Sequence, residues 1–200
     1  MATTIGDDCR DQVLHLLQDG LYESAEVMCS MILSSLPPQA GMGADKPGSV
    51  NTVFLELLAD SLFAQGQFKR ALIYFQQALQ CFSLRGRSIE SKEGARLAYK
   101  SALCHVELRD ASGAIRLLEN IPTPLRNVKV CIAMGKQYSE LGLKKSAIGC
   151  YKQVLALLPS SVEAVEKLGV YPHAYTTCKI FYLANRILPC SSCSCSGPCI

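Results

Sequence analysis

The chain has 200 residues, of which 49% are hydrophobic and 18% are charged, and its formal net charge is +3. This composition is typical of a chain that buries much of its surface, so it excludes wholesale disorder. The basic residues form no run of the kind that binds nucleic acid, and no uncharged apolar run is long enough to span a membrane. We therefore expect neither nucleic acid nor membrane among its partners.

Residues 1–51 are predicted to form a degenerate first helical hairpin followed by a Gly/Pro linker. Apolar and small residues recur from Val13 to Pro37 at helical spacing, with Gly20 at the expected turn. The linker is Pro38–Val50, where glycine, proline and serine are frequent. Segments of this composition are typically flexible connections, so this one is interpreted as a loop.

Residues 52–161 are predicted to contain three copies of one repeat. Leu58–Leu79 and Met134–Pro159 share the same order of small, aromatic and turn residues, and a third copy lies between them. The offsets are those of the tetratricopeptide repeat, a helix–turn–helix unit of about 34 residues. The units are expected to begin near Thr52, Ala95 and Val128. The sequence thus predicts an all-α chain in which about four hairpins stack into a tetratricopeptide-repeat solenoid.

The repeat offsets also identify the residues expected to pack the hairpins. Small residues let the two helices of a hairpin approach closely, and an aromatic residue fills the space beside them. The predicted packing positions are Ala59, Ala71, Phe75, Ala102, Ala114, Gly135, Tyr138, Ala147 and Tyr151.

Residues 162–200 are interpreted as an aborted repeat followed by an irregular, cysteine-rich tail. A fifth unit is expected from Val162, but Pro172 falls where its first helix needs a tyrosine, and proline inside a helix costs about 3 kcal/mol. The last eleven residues contain four cysteines, Cys190, Cys193, Cys195 and Cys199. Four thiolates suit zinc, but these are spaced too closely to surround one ion. We expect no metal site and no cofactor.

Three segments resemble a known family. Leu58–Leu79, Tyr99–Pro122 and Ser146–Pro159 are similar to the amino-terminal repeats of subunit seven of the anaphase-promoting complex, and the resemblance covers about residues 8–170. It implies a scaffold subunit of a cell-cycle ubiquitin ligase, found in nucleus and cytoplasm, that binds other ligase subunits. It also implies a homodimer formed through the amino-terminal repeats. The family has a dozen or more repeats, of which this sequence resembles about four.

The first helices of the repeats are expected to line a concave, protein-binding groove. Repeat offsets assign Glu56, Asp60, Tyr99, Leu103 and Lys136 to that surface. The groove would be acidic at one end, apolar in the middle and basic at the other, which suits a helix or an extended protein segment. Acidic residues would repel the peptide carboxylate that chaperone-binding clamps hold. An adaptor of chaperone or trafficking machinery nevertheless remains the alternative function.

No constellation of catalytic residues is visible in the sequence. His15, His105 and His173 are far apart in the repeat pattern, and Cys104 precedes His105 directly, so the two point to different faces of a helix. The glycines at 41 and 43 lack the Lys-Ser/Thr of a phosphate-binding loop. The chain is therefore expected not to be an enzyme.

Overall fold

A computed structural model describes residues 2–35, 50–83 and 91–169 of the chain. Most of the predicted linker, residues 84–90, and the tail with its four cysteines lie outside these ranges. The described chain is helical between its turns and contains no strand, which confirms the all-α prediction. The helices are α1 (Ala2–Gln18), α2 (Tyr22–Ser35), α3 (Val50–Ala64), α4 (Phe68–Ser83), α5 (Lys92–Glu107), α6 (Ala111–Glu119), α7 (Val128–Glu140), α8 (Lys144–Leu157) and α9 (Val162–Gly169), with a 3₁₀ turn at Thr123–Leu125.

The helices belong to two compact units, Met1–Arg126 and Asn127–Ile200. The first unit contains three hairpins, α1–α2, α3–α4 and α5–α6, and each of its hairpins packs on the next. The described part of the second unit contains the hairpin α7–α8 and the short helix α9, which packs on α8. No helix of the described ranges is long and apolar enough to cross a membrane.

All four hairpins turn in the same way. The backbone N–H groups of Leu21, Gln67, Asp110 and Leu143 each donate to a carbonyl five residues earlier, at 2.8–2.9 Å. This is the Schellman arrangement, which requires a left-handed residue just before each of these donors. Three turns place glycine there, with φ between 74° and 78°, whereas the turn between α5 and α6 uses Arg109 at φ 60°. The shared turn explains why glycine recurs at repeat spacing in the sequence.

The ends of α5, α6 and α7 are fixed by side chains. Ser91, Asp110 and Asn127 accept hydrogen bonds from backbone N–H groups in the first turns of these helices, at 2.9–3.1 Å. Arg126 satisfies the other end of α6, donating to the carbonyls of Ile121 at 2.8 Å and Glu119 at 2.9 Å. These hydrogen bonds define both ends of α6, which has nine residues.

The core of the first unit is aliphatic and continuous across its hairpins. Fully buried side chains come from every hairpin of this unit, among them Val13, Phe54, Leu62, Phe75 and Leu97. Each large apolar side chain that is fully buried contributes about 1.5–3 kcal/mol relative to exposure. The interior also holds two cysteines. Burial, with a smaller contribution from the Asp60 charge, raises the pKa values of Cys29 and Cys104 to about 12, so both remain thiols at neutral pH.

Candidate protein-binding surface

The structure buries all nine of the predicted packing residues. Alanines from both helices of the second and third hairpins are shielded from solvent together with Phe75, and so are Gly135, Tyr138, Ala147 and Tyr151 of the α7–α8 hairpin. These residues therefore form the interior between helices, and they leave the surface to other side chains.

Gly135 and Tyr151 form a close contact between the two helices of the α7–α8 hairpin. A Cβ atom placed on Gly135 of α7 would lie 2.7 Å from Cε1 and 2.8 Å from Cζ of Tyr151 on α8. Normal carbon–carbon contacts are about 3.5–4.0 Å. Glycine is needed at this position because the aromatic ring occupies the space where a side chain would begin.

The predicted acidic end of the groove is an ion-pair cluster, which we call the α3–α5 quartet: Glu56, Asp60, Arg96 and Lys100. Arg96 donates from both terminal nitrogens to the two carboxylate oxygens of Glu56, at 2.5 and 2.9 Å. The Lys100 Nζ lies 2.7 Å from Glu56 Oε1 and 2.5 Å from Asp60 Oδ2. The quartet connects the first helices of two consecutive hairpins and carries no net charge.

Burial decides the electrostatics of the quartet. The Glu56 side chain is only 9% exposed, while that of Arg96 is 54% exposed. Loss of solvation raises the pKa of Asp60 above its ordinary value of 3.8, and the attraction of Lys100 partly opposes this. The charged form of the half-buried Asp60 carboxylate is thus stabilised by the ammonium group of Lys100. The main role of Lys100 is therefore structural, because it holds α5 against α3.

The quartet corrects one expectation drawn from the sequence, because the acidic charges of Glu56 and Asp60 are compensated within the protein. Arg96 and Lys100 were missed, although a signal for them exists. They follow Glu56 and Asp60 by the same interval of 40 residues, so a basic pair at i, i+4 stands about one helical turn before Tyr99 and Leu103, the positions of the next repeat that match the acidic pair.

The other predicted groove residues lie on α5 and α7. Tyr99 and Leu103 lie on α5 and are partly buried. Lys136 belongs to the second unit, where its Nζ lies 2.6 Å from Glu163 of α9 in an exposed ion pair. The assignment of these five residues to a groove stays a prediction.

The described residues contain one histidine–carboxylate pair. His105 Nδ1 lies 2.9 Å from Asp110 Oδ2, at the turn between α5 and α6. The backbone N–H of Gly113 holds the pKa of Asp110 below its ordinary value of 3.8, with smaller effects from Ser112 and His105. Gly113 has no side chain to obstruct the pair, since a Cβ there would fall 2.6 Å from His105 Nδ1. The histidine–carboxylate pair therefore stabilises the turn between α5 and α6.

No group of three or more potential metal ligands occurs among the described residues. The cysteine tail, where the sequence offered four thiols, lies outside them.

The chain is similar to curated proteins of one kind. It is 28% identical over 185 residues to anaphase-promoting complex subunit 7 of Arabidopsis thaliana, and the match includes 80% of this chain and 32% of that protein. It is also 28% identical over 169 residues to the subunit 7 of Dictyostelium discoideum, covering 76% of this chain and 28% of that protein. The chain thus spans about a third of the length of these relatives. The resemblance inferred from the sequence is confirmed, although no protein-family model matches the chain.

Solved structures confirm the tetratricopeptide-repeat solenoid. A chain from the crystal structure of the APC/C hetero-tetramer Cut9–Hcn1 is similar to this one with a TM-score of 0.62 and 22% sequence identity. The match covers 89% of this chain and 31% of that chain. A crystal structure of the MamA protein matches 98% of both chains with a TM-score of 0.62, at 18% identity. At these identities the likeness concerns the fold alone.

Proposed function

We propose that this chain is a non-enzymatic scaffold for protein–protein interaction that serves in the anaphase-promoting complex, a cell-cycle ubiquitin ligase. The observation that carries the proposal is the similarity of 80% of the chain to subunit 7. The structure supports the proposal, because the small and aromatic repeat residues are buried in the helical hairpins, as a repeat scaffold requires.

Homodimerisation through the amino-terminal repeats, and residence in both nucleus and cytoplasm, belong to the same proposal. Large apolar side chains that are exposed on a hairpin suit contact with another protein surface, and a second copy of the chain is one occupant of such a surface. Exposed Val27 and Met31 in the first hairpin support this part of the proposal.

Co-purification from dividing cells tests the scaffold role. The full chain, carrying an affinity tag at its amino terminus, is expressed at low level, and bound proteins are identified by mass spectrometry. Recovery of ligase subunits is expected. Recovery of chaperone or trafficking components in their place would favour the alternative adaptor function, and recovery of no specific partner would contradict both.

Two variants connect the test to the groove. Leu103→Ala shortens a partly buried side chain of the predicted groove, and Ile73→Ala is its control on the outer face of α4, where Ile73 is 53% exposed. If the groove binds the partner, Leu103→Ala lowers recovery and Ile73→Ala does not. Equal recovery with both variants would remove Leu103 from the proposed surface.

Localisation is checked by fluorescence microscopy of the tagged chain.

A further inference from the structure

A threonine–proline pair stands in the turn that follows α6. Thr123 and Pro124 begin the 3₁₀ turn, and both side chains are exposed. No other serine or threonine of the 200-residue chain is followed by proline, and Arg126 comes two residues after Pro124. Proline-directed serine/threonine kinases accept this pattern, a hydroxyl followed by proline and then by a basic residue. Proline suits their cleft because it brings no backbone N–H that needs an acceptor.

The conformation of the turn makes Thr123 accessible to another protein. Its flanking residues are already extended, with ψ 142° at Pro122 and ψ 102° at Arg126. Two backbone hydrogen bonds hold the turn itself: the N–H of Leu125 donates to the carbonyl of Pro122 at 2.9 Å, and that of Arg126 donates to the carbonyl of Thr123 at 3.2 Å. A surface turn with so few hydrogen bonds opens locally far more easily than a packed helix. The segment can therefore extend in a kinase cleft without unfolding of the hairpin.

Arg126 connects this turn to the end of α6. Its guanidinium group donates to the carbonyls of Ile121 at 2.8 Å and Glu119 at 2.9 Å. Side chains at i and i+3 of a 3₁₀ turn lie on the same side, because the turn has three residues per turn. A phosphate on Thr123 would therefore lie beside the guanidinium group of Arg126. Hydrogen bonds from arginine to phosphate are stronger than those to a neutral carbonyl.

We propose that Thr123 is the acceptor of a proline-directed kinase, and that its phosphate draws Arg126 away from the end of α6. In the transfer, the hydroxyl oxygen of Thr123 forms a bond to the γ-phosphorus of ATP, and the bond from that phosphorus to the oxygen bridging it to the β-phosphate breaks. ADP leaves, and the hydroxyl proton passes to the catalytic aspartate of the kinase. The site goes beyond the scaffold role and does not depend on it.

The phosphate acts on α6 in two ways that have the same direction. It competes with the carbonyls of Glu119 and Ile121 for the guanidinium group of Arg126. It also places a charge of about −1.5 to −2 close to the carboxyl end of α6, where the helix dipole is already negative. Both effects loosen the end of the helix, next to the fully buried side chains of Leu118 and Ile121. Phosphorylation thus regulates how firmly the α5–α6 hairpin is closed.

Phosphorylation of the purified full-length chain tests the site. The chain is incubated with ATP and a purified cyclin-dependent kinase, which is proline-directed, and phosphopeptides are mapped by mass spectrometry. Phosphate is expected on Thr123. Thr123→Ala should abolish this incorporation, Thr123→Ser should retain it, and Pro124→Ala, which keeps the hydroxyl, should lower its rate about tenfold or more. A synthetic peptide of residues 117–129 is the control for the kinase. An unmodified Thr123 in the chain would overturn the proposal, and a phosphorylated peptide beside it would show that the fold hides the threonine.

Hydrogen exchange and phosphorus NMR test the effect on Arg126. Phosphorylation should speed exchange of the amides at the end of α6 about fivefold or more, but it should have little effect in Arg126→Ala, where this end has already lost its donors. Exposed Arg116→Ala is the matched control and should respond as the wild type does. The phosphothreonine resonance should titrate at lower pH in the wild type than in Arg126→Ala, because the guanidinium group stabilises the dianion. Equal exchange and equal titration in both proteins would overturn the transfer of Arg126 to the phosphate.

Discussion

Substituting Gly135 by alanine tests how the α7–α8 hairpin is packed. The new Cβ would lie 2.7–3.1 Å from three atoms of the Tyr151 ring. Tyr151 has no exposed surface, so the ring cannot move into solvent to relieve the overlap. Overpacking of this kind costs about 1–3 kcal/mol. Several atoms of a rigid ring are involved, which favours the upper part of that range.

The gain in helix propensity partly offsets this cost. Replacing glycine by alanine inside a helix contributes about 1 kcal/mol of stability. A clash near 3 kcal/mol therefore leaves a net loss of about 2 kcal/mol, which corresponds to a melting temperature lower by about 4–8 °C for a chain of this size.

Gly149→Ala is the matched control in the partner helix. It adds the same methyl group to α8 at a site with nothing within 4 Å, so it should raise stability by about 0.5–1 kcal/mol. Both variants are compared by urea unfolding, followed by circular dichroism and by hydrogen exchange of the α7 and α8 amides. A Gly135→Ala protein as stable as Gly149→Ala would refute the close-packing argument. In a Tyr151→Leu background, the cost of Gly135→Ala should decrease.

Three further predictions concern the hairpin ends. Arg109→Gly should stabilise the chain by about 1 kcal/mol, because a left-handed residue other than glycine costs about 1–2 kcal/mol; a thermal melt that is unchanged would count against strain at this turn. Arg126→Ala should cost about 1–2 kcal/mol and speed hydrogen exchange at the end of α6, since two carbonyls lose their donor, whereas exposed Arg116→Ala should change stability by less than about 0.5 kcal/mol. Asp110→Ala should destabilise the chain at neutral pH. The pKa of Asp110 is lowered on folding, so the stability that it contributes is present above 3.8 and is lost as the pH falls through the folded value. Urea unfolding of both proteins across this range should therefore show their difference vanish in acid, and a constant difference would contradict the assignment.

The repeat pattern predicted the interior of the hairpins better than their surfaces. Small and aromatic residues at fixed offsets have one physical use, which is to let helices approach, so Gly135 and Tyr151 are identifiable from their positions in the repeat alone. The role of Arg109 was not predicted, because it occupies a turn position that the other hairpins give to glycine. The surface charge of the groove was the hardest property to predict, because it depends on which ion-pair partners the adjacent helix supplies.

The α3–α5 quartet shows what this means for binding. Judged by residue type, Glu56 and Asp60 indicate an acidic surface, but Arg96 and Lys100 neutralise them at 2.5–2.9 Å. A partner that used these carboxylates would first have to break that network, and separating a half-buried charge from its counter-ion is costly. Lys145 and Lys152 on α8 are exposed and have no ion-pair partner among the described residues. Electrostatic attraction to a partner should therefore arise more readily at these two lysines than at the quartet.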